Sequence, residues 1–154
     1  MDKFIYYPDQ TNRSYKMKIE LVRLDDKFQF KSGEGDDAVY LSASEKLQGE
    51  NGKGQRPMQL ILQALAGCMS IDVLNILYKQ KQDVQDYNVS VSGDRSEELP
   101  GVFTNIKMTI HVKGAVKEEF LKRAIKLGEE KYCSVHHMLN PTVDIVTDYK
   151  LNEA

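Results

Sequence analysis

The sequence contains no tryptophan, only two cysteines and only four prolines in 154 residues. Two cysteines are too few for the disulfide framework of a small secreted protein, so any pairing of Cys68 with Cys133 is expected to be transient rather than structural. Lys and Arg number 21 against 23 Asp and Glu, which gives a net charge of −2. Because there is no basic excess to neutralise phosphates, general nucleic-acid binding is disfavoured.

The sequence also lacks a long uninterrupted apolar run. The least polar stretch, residues 60–77, includes four polar residues: Gln63, Ser70, Asp72 and Asn75. We therefore expect no membrane span, and the N-terminus, MDKFIYYPDQ, has no apolar stretch typical of a signal peptide. The length and composition predict a single domain over 1–154 of a cytoplasmic protein.

Alternation of apolar and polar residues predicts the strands. Residues 17–24, MKIELVRL, and the following KFQFK predict a hairpin, with a third strand at 38–43 and a glycine-containing loop at 44–55. The expected segments are N-terminal strands and a loop over 17–55, a strand pair over 87–113 and a last strand over 142–150.

Two helical regions are predicted. Pro57 opens a helix over 57–80 that is apolar nearly all round, so it is expected to be buried on several sides, by the sheet or by a second chain. A second helix and a short helix are predicted over 117–139. The order β-β-β-α-β-β-α-β is typical of an α+β fold with a mainly antiparallel sheet.

Cys68 lies inside the first predicted helix, in ALAGCMSID. One interpretation is a small buried thiol that only packs, since free cysteine is among the most buried residue types. The other is a reactive thiol. Asp72, one turn along the helix, does not favour reactivity, because a nearby carboxylate raises the pKa of a thiol.

Cys133 lies in KYCSVHHML, where either it or Ser134 is expected to begin the short helix. The helix dipole at that position would lower the pKa of the thiol. Cys133, His136 and His137 also allow a zinc site as a third alternative. A structural zinc site normally takes four ligands, so we expect no metal and no other cofactor. The sequence contains no nucleophilic-serine elbow, phosphate loop or dinucleotide fingerprint.

Three blocks together resemble the OsmC/Ohr family, and within it the YhfA-like branch. They are RPMQLILQALAGCMSIDVLNIL, SGDRSEELPGVFTNIKMTIHVKG and RAIKLGEEKYCSVHHML. The likeness runs from about Met17 to the C-terminus. It implies an OsmC-like fold with a long buried central helix, in which two chains intertwine as a homodimer.

The resemblance also implies a function and the residues that perform it. Family members reduce organic hydroperoxides with two cysteines and a dithiol reductant, an antioxidant activity of stress responses. By the resemblance, Cys68 is the cysteine that attacks the peroxide, Cys133 resolves the sulfenic acid as a disulfide, and an arginine activates the thiol.

This chain departs from the family pattern around that arginine. Well-characterised members carry Asn-Pro-Glu-Gln ahead of the helix cysteine, whereas this chain has Arg56-Pro57-Met58-Gln59, so the carboxylate that orients the arginine is missing. The family's Gly-Gly-Arg turn is also missing, although Arg23 lies near that place. Arg56 and Arg95 are the favoured candidates for the activating cation.

The departures keep a second function open: a non-enzymatic dimer that senses redox state or binds a small apolar ligand. Two sulfurs within disulfide reach and a guanidinium beside Cys68 would favour the peroxidase. Close sulfurs without a cation would favour the second function.

Overall fold

The computed structural model describes residues 17–50 and 52–153, which divide into two compact units between Leu60 and Ile61. The N-terminal unit has an antiparallel sheet of three short strands, ordered β1-β2-β3. Its elements are β1 (Val22–Arg23), β2 (Gln29–Ser32), a 3-10 turn (Gly35–Asp37), β3 (Val39–Ser42) and the short helix α1 (Glu45–Gln48). The single domain expected over 1–154 stays a prediction.

The predicted hairpin is confirmed, but its first strand is much shorter than the alternation indicated. Only Val22 and Arg23 pair with β2, although the pattern runs over 17–24. The turn is held by Asp25, whose Oδ1 accepts from the backbone N–H of Lys27 at 3.0 Å and of Gln29 at 3.1 Å. The segment 44–55, predicted as a loop, contains α1.

Helix α2 (Pro57–Lys79) matches the predicted range within one residue. Four residues at spacing four are fully buried and form one wall of the core: Leu65, Met69, Val73 and Leu77. The helix ends because Lys81 takes a left-handed conformation with φ of 55°. The N–H of Gln82 then bonds the Leu77 carbonyl, and that of Lys81 the Tyr78 carbonyl, which satisfies two end carbonyls of the helix.

The C-terminal unit contains a second sheet in the order β4-β5-β6, made of Asp83–Arg95, Phe103–Ala115 and Asp144–Leu151. Apolar residues of β5 alternate toward the core: Ile106, Met108, Ile110 and Val112 are all at most 1% exposed. β4 and β5 are antiparallel, as predicted, but β5 and β6 run parallel. A parallel pair needs a crossover connection, which is why helices stand between these two strands.

That crossover carries three consecutive helical segments. Helix α3 (Glu118–Leu127) is followed by a π-helical segment (Gly128–Tyr132), Cys133, and helix α4 (Ser134–Leu139). Leu121 and Ala124 of α3 are fully buried. The sequence predicted a second helix and a short helix over 117–139, and the structure places a π-helical segment between the two.

The far side of α2 is not covered by the described part of this chain. By length and composition alone α2 could cross a membrane, but core helices of soluble proteins have the same length and composition. One third of its most apolar stretch is buried within this structure. Ile71 is 62% exposed, and Ala64 and Gly67, on the same stripe, are exposed as well. Within residues 17–50 and 52–153, the predicted burial of α2 on several sides is thus not met at the stripe of Ala64, Gly67 and Ile71.

Candidate functional site

Cys68 is held by the regular backbone of α2. It is half-buried, and Asp72, one turn further along the helix, is 8% exposed. The Sγ of Cys68 lies 3.9 Å from the Oγ of Ser134, the first residue of α4. A hydroxyl at that distance offers the sulfur a weak polar neighbour.

Cys133 lies at an irregular junction between the π-helical segment and α4. Its backbone N–H donates to the Gly128 carbonyl at 2.9 Å. Its Sγ accepts from the backbone N–H of His136 at 3.4 Å, so the sulfur caps the N-terminus of α4. The prediction that Cys133 or Ser134 begins the short helix is confirmed, with Cys133 as the cap and Ser134 as the first helical residue.

The two cysteines, 65 positions apart in the chain, come together in one cluster. The sulfurs of Cys68 and Cys133 and a carboxylate oxygen of Asp72 all lie within 4.8 Å of one another. A disulfide needs a sulfur–sulfur distance of about 2.05 Å, so a local shift would be required to form one. Both thiols are free here and belong to one protomer.

Burial dominates the electrostatics of Cys133. The residue is 0% exposed, and this burial, with further contributions from Cys68 and the Asp72 carboxylate, raises the pKa of the Cys133 thiol to about 12. The N–H of His136 lowers this pKa, but by less. The expectation of a lowered pKa at this helix end is wrong, because loss of hydration outweighs the favourable dipole of a six-residue helix.

The two histidines next to Cys133 do not join this cluster. Among residues 17–50 and 52–153, Cys68, Asp72 and Cys133 form the one group of three His, Cys, Asp or Glu side chains whose ligand atoms converge. His136 is buried with an unpartnered Nδ1, and burial lowers its pKa. His137 is exposed. The structure therefore does not bring the ligand atoms of Cys133, His136 and His137 together, as the zinc alternative required.

The candidate arginines lie in three different places. Arg95, at the end of β4, is exposed, and its Nε donates to the Gly101 carbonyl at 2.5 Å. Arg23 donates to the carbonyls of Lys27 and Asp26 in its own hairpin. Arg56 is exposed and directly precedes α2, in the N-terminal unit. The role of Arg56 or Arg95 stays a prediction, and a carboxylate oxygen of Asp72 lies within 4.8 Å of both sulfurs.

Gly128 positions Cys133, and sequence reasoning missed it. A Cβ at Gly128 would lie 2.5 Å from the Sδ of Met69, the buried neighbour of Cys68 on α2. The π-helical segment therefore packs directly against the helix that carries Cys68, and only glycine allows that approach. Gly128 lies five residues before Cys133 in LGEEKYC, and that position is the one cue the sequence offered.

Comparisons with known proteins identify the family of this chain. Residues 49–148 match the family model described as OsmC-like protein. Protein YhfA of Escherichia coli (strain K12) is 41% identical over 107 residues, which cover 68% of this chain and 80% of that protein.

Solved structures share the fold. A hypothetical protein from Aquifex aeolicus VF5 superposes with a TM-score of 0.79 at 28% identity, covering 90% of this chain and 97% of that one. An organic hydroperoxide resistance protein OsmC from Legionella pneumophila gives 0.68 at 16% identity, over 90% and 99% of the two chains. This chain belongs to the OsmC-like protein family and has its α+β fold.

Proposed function

We propose that this protein is a thiol-dependent peroxidase that reduces organic hydroperoxides with Cys68 and Cys133. The observation that carries the proposal is the convergence of the two sulfurs, each within 4.8 Å of the other and of Asp72. A similar fold in a protein named for organic hydroperoxide resistance supports the substrate class.

The first step belongs to Cys68, because its sulfur is the more accessible of the two. The Cys68 thiolate attacks one oxygen of the peroxide, and the O–O bond breaks. The sulfur becomes a sulfenic acid, and the other oxygen leaves, with a proton, as the alcohol. The peroxide is reduced by two electrons and the sulfur is oxidised by two.

The second step belongs to Cys133. Its sulfur displaces the sulfenic oxygen, which leaves as water, and a Cys68–Cys133 disulfide forms. A raised pKa is compatible with this role, since the thiol needs to ionise only as it attacks an adjacent sulfur. Its position at the end of a short, irregular crossover segment favours the shift that bond formation requires. An external dithiol then reduces this disulfide, becomes a disulfide itself and restores both thiols.

In this proposal a cation stabilises the Cys68 thiolate as it attacks the peroxide. Arg56 and Arg95 remain the proposed sources. Converting each separately to Gln, with Lys as the charge-preserving control, tests them. Replacing the arginine that acts by Gln is expected to lower the rate of Cys68 oxidation and to shift its pH profile upward, and Lys at the same position restores part of both. If all four variants oxidise like the wild type, neither arginine has this role.

The function is tested by following consumption of an organic hydroperoxide with a dithiol donor, on metal-free protein. Cys68→Ser is expected to reduce turnover to the background rate. Cys133→Ser is expected to consume one equivalent of peroxide and stop at a trappable sulfenic acid. His137→Ala, at an exposed position of α4, keeps both sulfurs and the Ser134 hydroxyl and serves as the matched control. Absence of turnover with every dithiol donor would contradict the proposal.

A second candidate is a redox sensor or a binder of small apolar ligands on the same scaffold. The observation that favours it is that Arg23 and Arg95, two of the candidate cations, donate to backbone carbonyls in their own turns. A sensor oxidises once, stoichiometrically, and does not turn over. The same assay therefore separates the two functions.

We also propose that two copies of the chain form the homodimer. The exposed stripe of Ala64, Gly67 and Ile71 on α2 is apolar, and a second copy would bury it. Ile71→Lys is expected to produce monomers in sedimentation velocity, whereas Gln63→Lys, also on α2, is the control for added charge. A wild-type chain that sediments as a monomer would contradict this proposal.

A further inference from the structure

The cluster of Cys68, Asp72 and Cys133 has the composition of a metal site. Its three ligand atoms lie within 4.8 Å of one another. Ligand atoms on one tetrahedral zinc lie roughly 3.3–3.8 Å apart, given bonds of about 2.0–2.3 Å. Side-chain adjustments of the order of 1 Å would therefore place all three on one ion.

The backbone already holds these ligands in position. Cys68 and Asp72 lie one turn apart on α2, so their spacing is fixed by the helix. Cys133 is fixed by the bond of its N–H to the Gly128 carbonyl, and Gly128 packs against Met69 of the same helix. A site preformed in this way does not have to pay the ordering cost that metal binding to an unfolded chain incurs.

We propose that the reduced protein binds one thiophilic divalent cation of the zinc class through Cys68, Cys133 and Asp72. On binding, two S–H bonds are replaced by two metal–sulfur bonds, and two protons leave to solvent. Two thiolates select zinc over magnesium or calcium, which prefer oxygen ligands. Three protein ligands leave a fourth position for water or a small ligand, which can reach it from the half-exposed side of Cys68.

Metal binding and thiol oxidation exclude each other at this site, since both consume the same two sulfurs. The metal-loaded protein is therefore protected from hydroperoxide, and the disulfide form cannot bind the ion. The proposal depends only on the reduced thiols and Asp72, and it does not rest on peroxidase turnover. Turnover by metal-free protein without metal binding would refute this inference and leave the proposed function intact.

The test is a Co²⁺ titration of reduced, tag-free, metal-free protein, followed by competition with Zn²⁺. We expect one equivalent to bind with thiolate-to-cobalt charge-transfer absorbance and release of two protons. Asp72→Asn, which keeps the shape of the side chain, is expected to weaken Zn²⁺ binding by at least about tenfold. Cys68→Ser is expected to lose about half of the charge-transfer intensity per bound ion.

His137→Ala is the matched control, because His137 is exposed and next to the cluster in sequence. It is expected to bind like the wild type. Each variant is checked for folding by circular dichroism, and its thiols are counted before titration. Wild-type affinity in Asp72→Asn, loss of binding in His137→Ala, or no charge-transfer absorbance in the wild type would each overturn the inference.

Discussion

The two cysteines lie in opposite kinds of backbone. Cys68 is half-buried within a 23-residue regular helix, whereas Cys133 is fully buried between a five-residue π-helical segment and a six-residue helix. The accessible sulfur is thus on the more rigid element, and the enclosed sulfur is on the irregular one. This difference favours Cys68 as the residue that meets peroxide and Cys133 as the residue that moves to it, independently of family resemblance.

The largest expected effect is a difference in alkylation rate. Burial raises the pKa of the Cys133 thiol to about 12, so little of it is thiolate near neutral pH. Its alkylation by iodoacetamide should therefore be much slower than that of the half-buried Cys68 and should rise steeply with pH. Mass spectrometry of the native reduced protein measures both sites, and equal rates at Cys68 and Cys133 would remove the proposed contrast.

The next effect tests the packing that positions Cys133. Gly128→Ala places a methyl group against the buried Met69 and is expected to lower the free energy of unfolding by about 1–3 kcal/mol. Glu130→Ala in the same segment loses only an exposed ion pair with Lys126 at 3.7 Å. It should change the free energy of unfolding by only a few tenths of a kcal/mol. Urea unfolding compares them. Equal stabilities would show that Met69 accommodates the methyl group without cost.

A smaller effect on stability is expected to distinguish the structural roles of the two cysteines. Cys133→Ala removes the cap of α4 and is expected to cost about 1 kcal/mol. Cys68→Ala lies in a helix interior, where alanine is the best helix former, and should stay within about 0.5 kcal/mol of the wild type. Thermal unfolding under reducing conditions measures both, and a larger loss at Cys68 would reverse the assignment.

The smallest effect is a pH dependence from His136. Burial lowers its pKa in the folded protein, so the unfolded chain binds a proton at a higher pH than the folded one does. Stability is therefore complete above about pH 6.5 and falls as the pH decreases toward the folded pKa. His136→Gln should flatten that slope in urea titrations between pH 5 and pH 7.5. An unchanged slope in His136→Gln would assign the dependence to other groups.

The sequence predicted a helix or strand well where a single residue or a regular spacing of apolar residues determines its bounds. The bounds of α2 followed from Pro57 and the helical repeat, and the start of α4 followed from the composition around Cys133. Alternation in Thr142–Tyr149 identified β6 but could not show that it pairs in parallel with β5, because the same residues alternate in either direction. The short β1 shows the converse, since alternation over 17–24 does not ensure pairing.

The site was harder to predict because it depends on contacts distant in sequence. No local pattern joins Cys68 to Cys133, and only family resemblance indicated their meeting. The raised pKa of Cys133 comes from burial by several elements, which a helix-dipole argument cannot include. The role of Gly128 depends on Met69, far away in the chain, so it was visible only in three dimensions.

The parallel pairing of β5 with β6 has a consequence for how the dithiol is lost. The crossover segment between those strands, which includes Cys133, is attached to the same sheet at both of its ends. Detaching β6 would release the C-terminal attachment of this segment, while Gly128 would still pack against Met69 of α2. Separation of a peripheral strand, an event remote from either sulfur, would thus loosen one end of the segment that carries Cys133.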